Sequence, residues 1–337
     1  MEKPQLHIPK NTIPLLIEEI CKEEGLDYWI EPEYKYFGYV ETERGRRFFK
    51  NWHINQNPLA SIEVCKDKDY SAQALSRFGF LVPEGKVFFS EEVNLKIEKK
   101  RTYEDAQIYG LSLGFPLIIK PNNLSQGAGV FKANTKEEFL DALSRMREYS
   151  HAYRVERFYS GRDYRIVVYD EKIISAYERI ALSVIGNGRD TIGDLIQKKQ
   201  DEFFKIGRPE VIDMGDIRIL KKLSNIGCSF DTVLPDREKI SLLDNANLST
   251  GGESKDITPL LHQDFADIAI RATKSLNLEL CGVDIITGDA TKSLEDNMNE
   301  YIILEVNASP GLDNYITSGN TQRNIVKSMY RKMLLLE

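Results

Sequence analysis

Two strand-like runs in the C-terminal third carry carboxylates where a carboxylate is costly. GVDII at 282–286 holds Asp284, and YIILEV at 301–306 holds Glu305, each acid flanked by apolar residues. A buried charge is unfavourable unless it is paired or binds a cation. Both runs have strand composition, and the polar, Asp/Asn-rich stretch between them predicts a hairpin. Paired in this way, Asp284, Glu305 and Asn307 share one face, since Glu305 and Asn307 lie two apart on one strand. Two carboxylates and an amide form an all-oxygen set suited to Mg²⁺, which takes few protein ligands and fills its sphere with water and phosphate oxygens. Ser309-Pro310-Gly311 then turns the chain beneath the set. An ordinary hairpin with two solvated acids is the bland alternative, and the apolar flanks count against it.

Cations recur upstream at spacings that suit anion binding. Lys68 precedes a helix expected from about Ser71 to Phe78, and a helix N-terminus favours an anion. Lys120 closes the apolar strand FPLIIK. The loop KPNNLSQGAGV (120–130) then passes through Ser125, Gln126, Gly127 and Gly129, where backbone N–H groups can approach phosphate oxygens closely. This is neither a GxxxxGK[ST] loop nor a dinucleotide fingerprint, and taken alone it also reads as a plain strand connection. RIVVYD and KIISAYERI predict a further antiparallel pair that sets Arg165 beside Arg179, two guanidiniums suited to carboxylate or phosphate, although paired strand arginines are also common on solvated surfaces.

The elements that must position these groups alternate between strands and helices, an α/β pattern. Helices are expected at 10–25, with Thr12 as cap and Gly25 as stop, at Thr191–Lys205 with a Thr191/Asp194 capping box, at 260–277, and from about Gln322 to Leu335. The 337 residues leave room for two or three subdomains around one site. Expected boundaries are 1–65 for a small N-terminal unit, 66–157 for a central unit with the glycine loop, and 158–337 for a C-terminal unit with the acidic hairpin and an insertion at about 186–252. A net charge of −7 with scattered Lys and Arg argues against nucleic acid as the main ligand. No run is long enough for a membrane span, and MEKPQLHIPK lacks the apolar core of a signal peptide. Four isolated cysteines and four histidines show no metal spacing, which argues against structural zinc or a disulfide framework and fits a reducing cytoplasm.

With these residues in order, the chain resembles the ATP-grasp superfamily, in particular the ATP-grasp domains of cyanophycin synthetases and of bifunctional glutathione-synthesis enzymes. GRDYRIVV, SVIGNGRDTIGDLI, NANLSTGGESKDIT, CGVDII and EVNASPGL carry the resemblance, which runs from about residue 58 to 330. It implies two α/β subdomains gripping ATP. Lys68 and Lys120 would bind phosphates, with Ser125, Gly127 and Gly129 in the flap above them. Glu156 to Phe158 would contact adenine, and Asp163 the ribose. Asp284, Glu305 and Asn307 would hold two Mg²⁺ ions, with Mn²⁺ as substitute, and Arg165 and Arg179 would stabilise the transferring phosphoryl group.

The implied activity is a carboxylate–amine ligase working through an acyl phosphate on an amino acid or short peptide. A small-molecule kinase and a non-catalytic nucleotide-binding module are the alternatives. Small-molecule acids and amines are the expected partners, and assembly into a homo-oligomer stays open. The chain departs from the cyanophycin pattern at Ala128, where a basic residue is usual, and before Asn247, where an arginine is usual. With neither a Mur-ligase-like domain after it nor a glutamate–cysteine ligase domain before it, cyanophycin polymerisation and two-step glutathione synthesis are not expected.

Overall fold

The computed structural model describes residues 11–43, 45–124, 129–205, 211–244, 246, 250–317 and 319–335. The chain opens on α1 (Thr12–Glu24), closed by Gly25 in the left-handed conformation that costs glycine nothing. Asn11 rather than Thr12 holds the N-cap position, and its side chain makes no capping bond. β1 (Tyr28–Ile30), β2 (Phe37–Thr42), β3 (Gly45–Lys50) and β4 (His53–Ile54) follow as one antiparallel sheet in that order. Strand alternation turns Val40 and Phe49 inward, onto Ile13, Leu16, Ile17 and Ile20 of α1.

Next come α2 (Leu59–Lys66) and α3 (Lys68–Arg77). α3 begins three residues before the expected Ser71, because the Asp67 carboxylate accepts the Tyr70 N–H and caps the helix there. Lys68 is therefore the first residue of the helix and not a residue ahead of it. β5 (Gly85–Phe89), α4 (Glu91–Asn94), α5 (Tyr103–Leu113), β6 (Leu117–Pro121), β7 (Phe131–Ala133), α6 (Lys136–Tyr149) and β8 (Ala152–Arg157) form a second layer. Its antiparallel sheet runs β5-β8-β6-β7, and Phe139, Leu143 and Met146 of α6 pack on Leu117, Ile119 and Val155.

β9 (Arg162–Tyr169), β10 (Lys172–Ile180), β11 (Ser183–Ile185), α7 (Ile192–Lys205), α8 (Ile217–Asn225), β12 (Lys239–Ser241) and β13 (Glu253–Asp256) come next. α7 starts on a reciprocal Thr191–Asp194 capping pair. β11 and β12 pair with each other and share a separate apolar cluster with α7 and α8, including Ile192, Ile196, Ile219 and Leu223. The chain finishes with α9 (Gln263–Ser275), two residues or more inside its expected limits, then β14 (Leu280–Thr287), β15 (Ile302–Asn307), α10 (Asp313–Ile316) and α11 (Asn320–Leu335).

The largest sheet runs β13-β10-β9-β14-β15, antiparallel throughout. Its period of two sorts the two faces. Tyr164, Ile166 and Val168 of β9 and Cys281, Val283 and Ile285 of β14 join Leu75 of α3 and Phe265 and Ile268 of α9. Val167, Tyr169 and Leu280 point the other way, to α1 and α11. By the same alternation Asp163, Arg165 and Asp284 continue that second face. All four cysteines are free; Cys21, Cys65 and Cys281 are buried and Cys228, just past α8, is partly exposed. Among the described residues no helix is long and apolar enough to cross a membrane.

Candidate ATP and metal site

Register brings the charged residues together. Asp284 on β14 lies opposite Glu305 on β15 and opposite Arg165 on β9, while Arg179 on β10 lies opposite Asp163. Arg165 grips Asp284 with two parallel bonds, Nε and Nη2 each 2.6 Å from a carboxylate oxygen. Such bidentate pairing combines charge with fixed orientation. Arg179 Nη2 lies 2.9 Å from Asp284 and 2.7 Å from Asp163, so one guanidinium bridges two acids. Glu305 stands 3.9 Å from both Arg165 and Lys68. Asp284 is sealed at 1% side-chain exposure, whereas Glu305 keeps 32%, which leaves Glu305 as the acid open to an incoming cation. Asn307 Nδ2 approaches Glu305 at 3.4 Å.

The electrostatics follow from this crowding. Burial alone would raise the Glu305 carboxyl, but the charges of Lys68, Lys120, Arg165 and Arg179 outweigh it and hold the group at about 2. Burial pulls the Lys68 ammonium down, with Glu305 the main opposing charge. Burial also opposes charge on both arginines, yet Asp284 carries Arg165 above its usual value, and Asp163 and Asp284 do the same for Arg179. Asp163 is pushed up by burial against the pull of Arg179.

The second layer supplies the remaining groups. Lys120 Nζ lies 2.5 Å from Glu156, and Arg154 Nε is 2.9 Å from the other oxygen of the same carboxylate. Arg154 also donates to Asp69 and, at 3.0 Å, to the Pro83 carbonyl. Arg154 and Asp69 escape a reading of the sequence; the only local signal is Arg154 two residues before Glu156 on one strand. Asn122 ties the Lys68 end of α3 to the start of the loop, its carbonyl accepting the Lys68 N–H at 3.1 Å and its side chain the Asp69 N–H at 3.0 Å. Lys68 Nζ donates to the Leu124 carbonyl. Phe158 receives Lys132 over its ring at 4.0 Å and donates its N–H to the Pro116 carbonyl. Gly129 has φ +67°, and a Cβ there would stand 2.6 Å from the Tyr149 ring, so the loop exit requires glycine. Ser125, Gln126, Gly127 and Ala128 lie outside the described residues, as do Asn247, Leu248 and Ser249 of the NLSTGG string.

By donor chemistry the set suits Mg²⁺ of the kind that arrives with phosphate oxygens, with Glu305 as its open acid, while Asp284 gives both its oxygens to Arg165 and Arg179. Among the described residues no group of three His, Cys, Asp or Glu side chains could hold a metal alone. Two carboxylates and one amide fall short of a closed protein cage, as expected for an ion that keeps waters and substrate oxygens in its sphere.

Two facing antiparallel layers with this cation–carboxylate row between them define an ATP-grasp fold. A family model described as the RimK-like ATP-grasp domain matches residues 243–332, and one described as the D-Ala-D-Ala ligase C-terminus matches residues 74–186. The chain belongs to the ATP-grasp superfamily. Cyanophycin synthetase of Trichormus variabilis is 32% identical over 273 residues, covering 79% of this chain and 29% of that protein. The glutathione biosynthesis bifunctional protein GshAB of Mannheimia succiniciproducens is 26% identical, over 93% of this chain and 41% of its own length. Among solved structures, the bifunctional glutathione synthetase from Pasteurella multocida superposes with a TM-score of 0.61 at 22% identity, over 96% of this chain and 45% of that one. D-alanine–D-alanine ligase from Bacillus anthracis gives 0.50 at 15% identity, over 83% and 69%. The chain thus spans well under half the length of the curated relatives it matches. Ligases of this fold use ATP and Mg²⁺.

Proposed function

We propose that this chain is an ATP-dependent carboxylate–amine ligase whose substrates are amino acids or short peptides. One observation carries the reading: four cations from two facing layers converge on Glu305 and keep its carboxylate ionised. Such a convergence of positive charge with an open acid suits a polyphosphate and its divalent ion, and the relatives are named for the synthesis of cyanophycin and of glutathione.

In this reading Asp284, Glu305 and Asn307 hold two Mg²⁺ ions, which neutralise phosphate charge when bound. Lys68 and Lys120 neutralise the phosphates from the other layer. Glu156 and Phe158 meet adenine, and Asp163 takes the ribose hydroxyls. An oxygen of the substrate carboxylate attacks the γ-phosphorus, and the bond to the bridging oxygen breaks to release ADP. The amine then adds to the acyl phosphate, loses a proton and expels phosphate, leaving an amide. Arg165 and Arg179 face the charge that develops on the phosphoryl group and on the tetrahedral oxyanion. No nucleophilic side chain is needed, which agrees with the buried Cys281 thiol, pushed up by burial.

The test begins with an ADP-release screen over amino acids and dipeptides, followed by ¹⁸O-labelled carboxylate of the active acid. Label in the released phosphate together with an amide product is the expected result. A phosphorylated product with no labelled phosphate would assign a kinase instead.

A further inference from the structure

Three residues ahead of both family-matched segments reach across to the chain just past Asn307. The Trp52 indole N–H donates to the Ser309 carbonyl at 3.1 Å, and His53 Nδ1 lies 2.7 Å from Ser309 Oγ. Asn57 uses both ends of its amide. Its Nδ2 donates to the carbonyls of Leu280 (2.7 Å) and Ala308 (2.5 Å), and its Oδ1 accepts the N–H groups of Glu279 (2.8 Å) and Leu280 (3.1 Å).

The last rung of the β14–β15 ladder is Gly282–Asn307, so Leu280 lies beyond it. Asn57 donates to and accepts from the Leu280 backbone as a strand neighbour would, and it joins that position to Ala308. Backbone groups left by the departing strand are satisfied in this way. Trp52 is itself anchored, its carbonyl accepting the Tyr330 hydroxyl of α11 at 2.8 Å. Its ring borders Gly311, where a Cβ would stand 3.8 Å away. The held segment continues to Pro310, which covers Gly282: a Cβ there would meet Pro310 at 3.1 Å and Arg165 Cδ at 3.6 Å. One short segment therefore begins beside Asn307 and covers Gly282, whose other near neighbour is Arg165.

Resting on the ligase reading above, we propose that Trp52, His53 and Asn57 are positioning residues for the reaction. By fixing residues 308–311 they set the direction of Asn307 and back Arg165, which makes the N-terminal sheet part of the framework of the site. Hydrogen-bonded partners behind a metal ligand hold it in the orientation that binding needs.

His53 is exposed, so His53→Ala removes its bond without opening the core. Amide exchange at 307–311 should accelerate while α9 and α11 stay protected. The gain in affinity that Mg²⁺ gives a non-hydrolysable ATP analogue should fall by about tenfold, with metal-free affinity unchanged. His53→Asn, which can still reach the serine hydroxyl, should recover most of the loss. Ser309→Ala added to His53→Ala should cost nothing more. Asn57→Ala should show the larger form of the same pattern. Folded His53→Ala and Asn57→Ala proteins with wild-type exchange at 307–311 and wild-type Mg²⁺-dependent affinity would overturn the proposal. A wild-type chain that binds the analogue but ligates nothing defeats the ligase reading alone, because the exchange and affinity readouts still decide the clamp.

Discussion

Glu305 and Arg154 show how differently two charges in this chain are used. Glu305 is partly open and opposed by four cations, none in tight contact with it. Glu305→Gln should fold normally and lose Mg²⁺-dependent ATP turnover on the order of 100-fold, measured as ADP release against metal concentration. Arg154 is instead 3% exposed and clasped by Asp69 and Glu156. Removing one partner of a buried ion network leaves an uncompensated charge, so Arg154→Met should cost about 3–5 kcal/mol in denaturant unfolding. Glu156 retains Lys120, which leaves Asp69 as the acid most exposed to that loss.

At the level of elements, the docking of α1 against α11 depends on charge as well as on Ile17 and Val326. Glu19 accepts from Arg323 and Lys327, and these two bonds outweigh burial to hold its carboxyl at about 2. A lowered folded value means the contribution is fully present above the ordinary carboxylate value of 4.5. It is lost as pH falls from there towards 2. Chemical-denaturation midpoints should decline across that window less steeply in Glu19→Gln than in the parent chain. The same elements mark what the sequence made legible. β14 and β15 stand out because each is an apolar run broken by one acid, and α7 because its capping pair is local. The start of α3 is displaced because Asp67 caps it, a choice that depends on which of several acids turns inward. Asn57 leaves no local pattern, since its partners lie 222 to 251 residues away, and Arg154 shows only its two-residue spacing to Glu156, its other acid, Asp69, being 85 residues away. Contacts of that span are set by the assembled sheets and leave no periodic trace.

Across the whole molecule, the proposed site draws on both layers, with Lys120 and Glu156 on one sheet and Asp284 and Glu305 on the other. A ligand that binds both layers in the folded chain only should stabilise the assembly as a unit. With a non-hydrolysable ATP analogue and Mg²⁺ at 100 times the dissociation constant, unfolding should cost about 2.7 kcal/mol more. The increase should appear in probes of both sheets together, and Val130 to Ala133 at the loop exit should exchange more slowly.

The cysteine distribution has a practical side. Three thiols are shut away in the cores, and Cys228 alone is partly open, in the separate cluster that follows β10. A maleimide dye added to the native chain should therefore load to a stoichiometry near one, read by mass spectrometry, with no engineered cysteine required. That single tag sits on the segment between β10 and β13, so its polarisation offers an optical report of how this segment responds as nucleotide and acceptor are added.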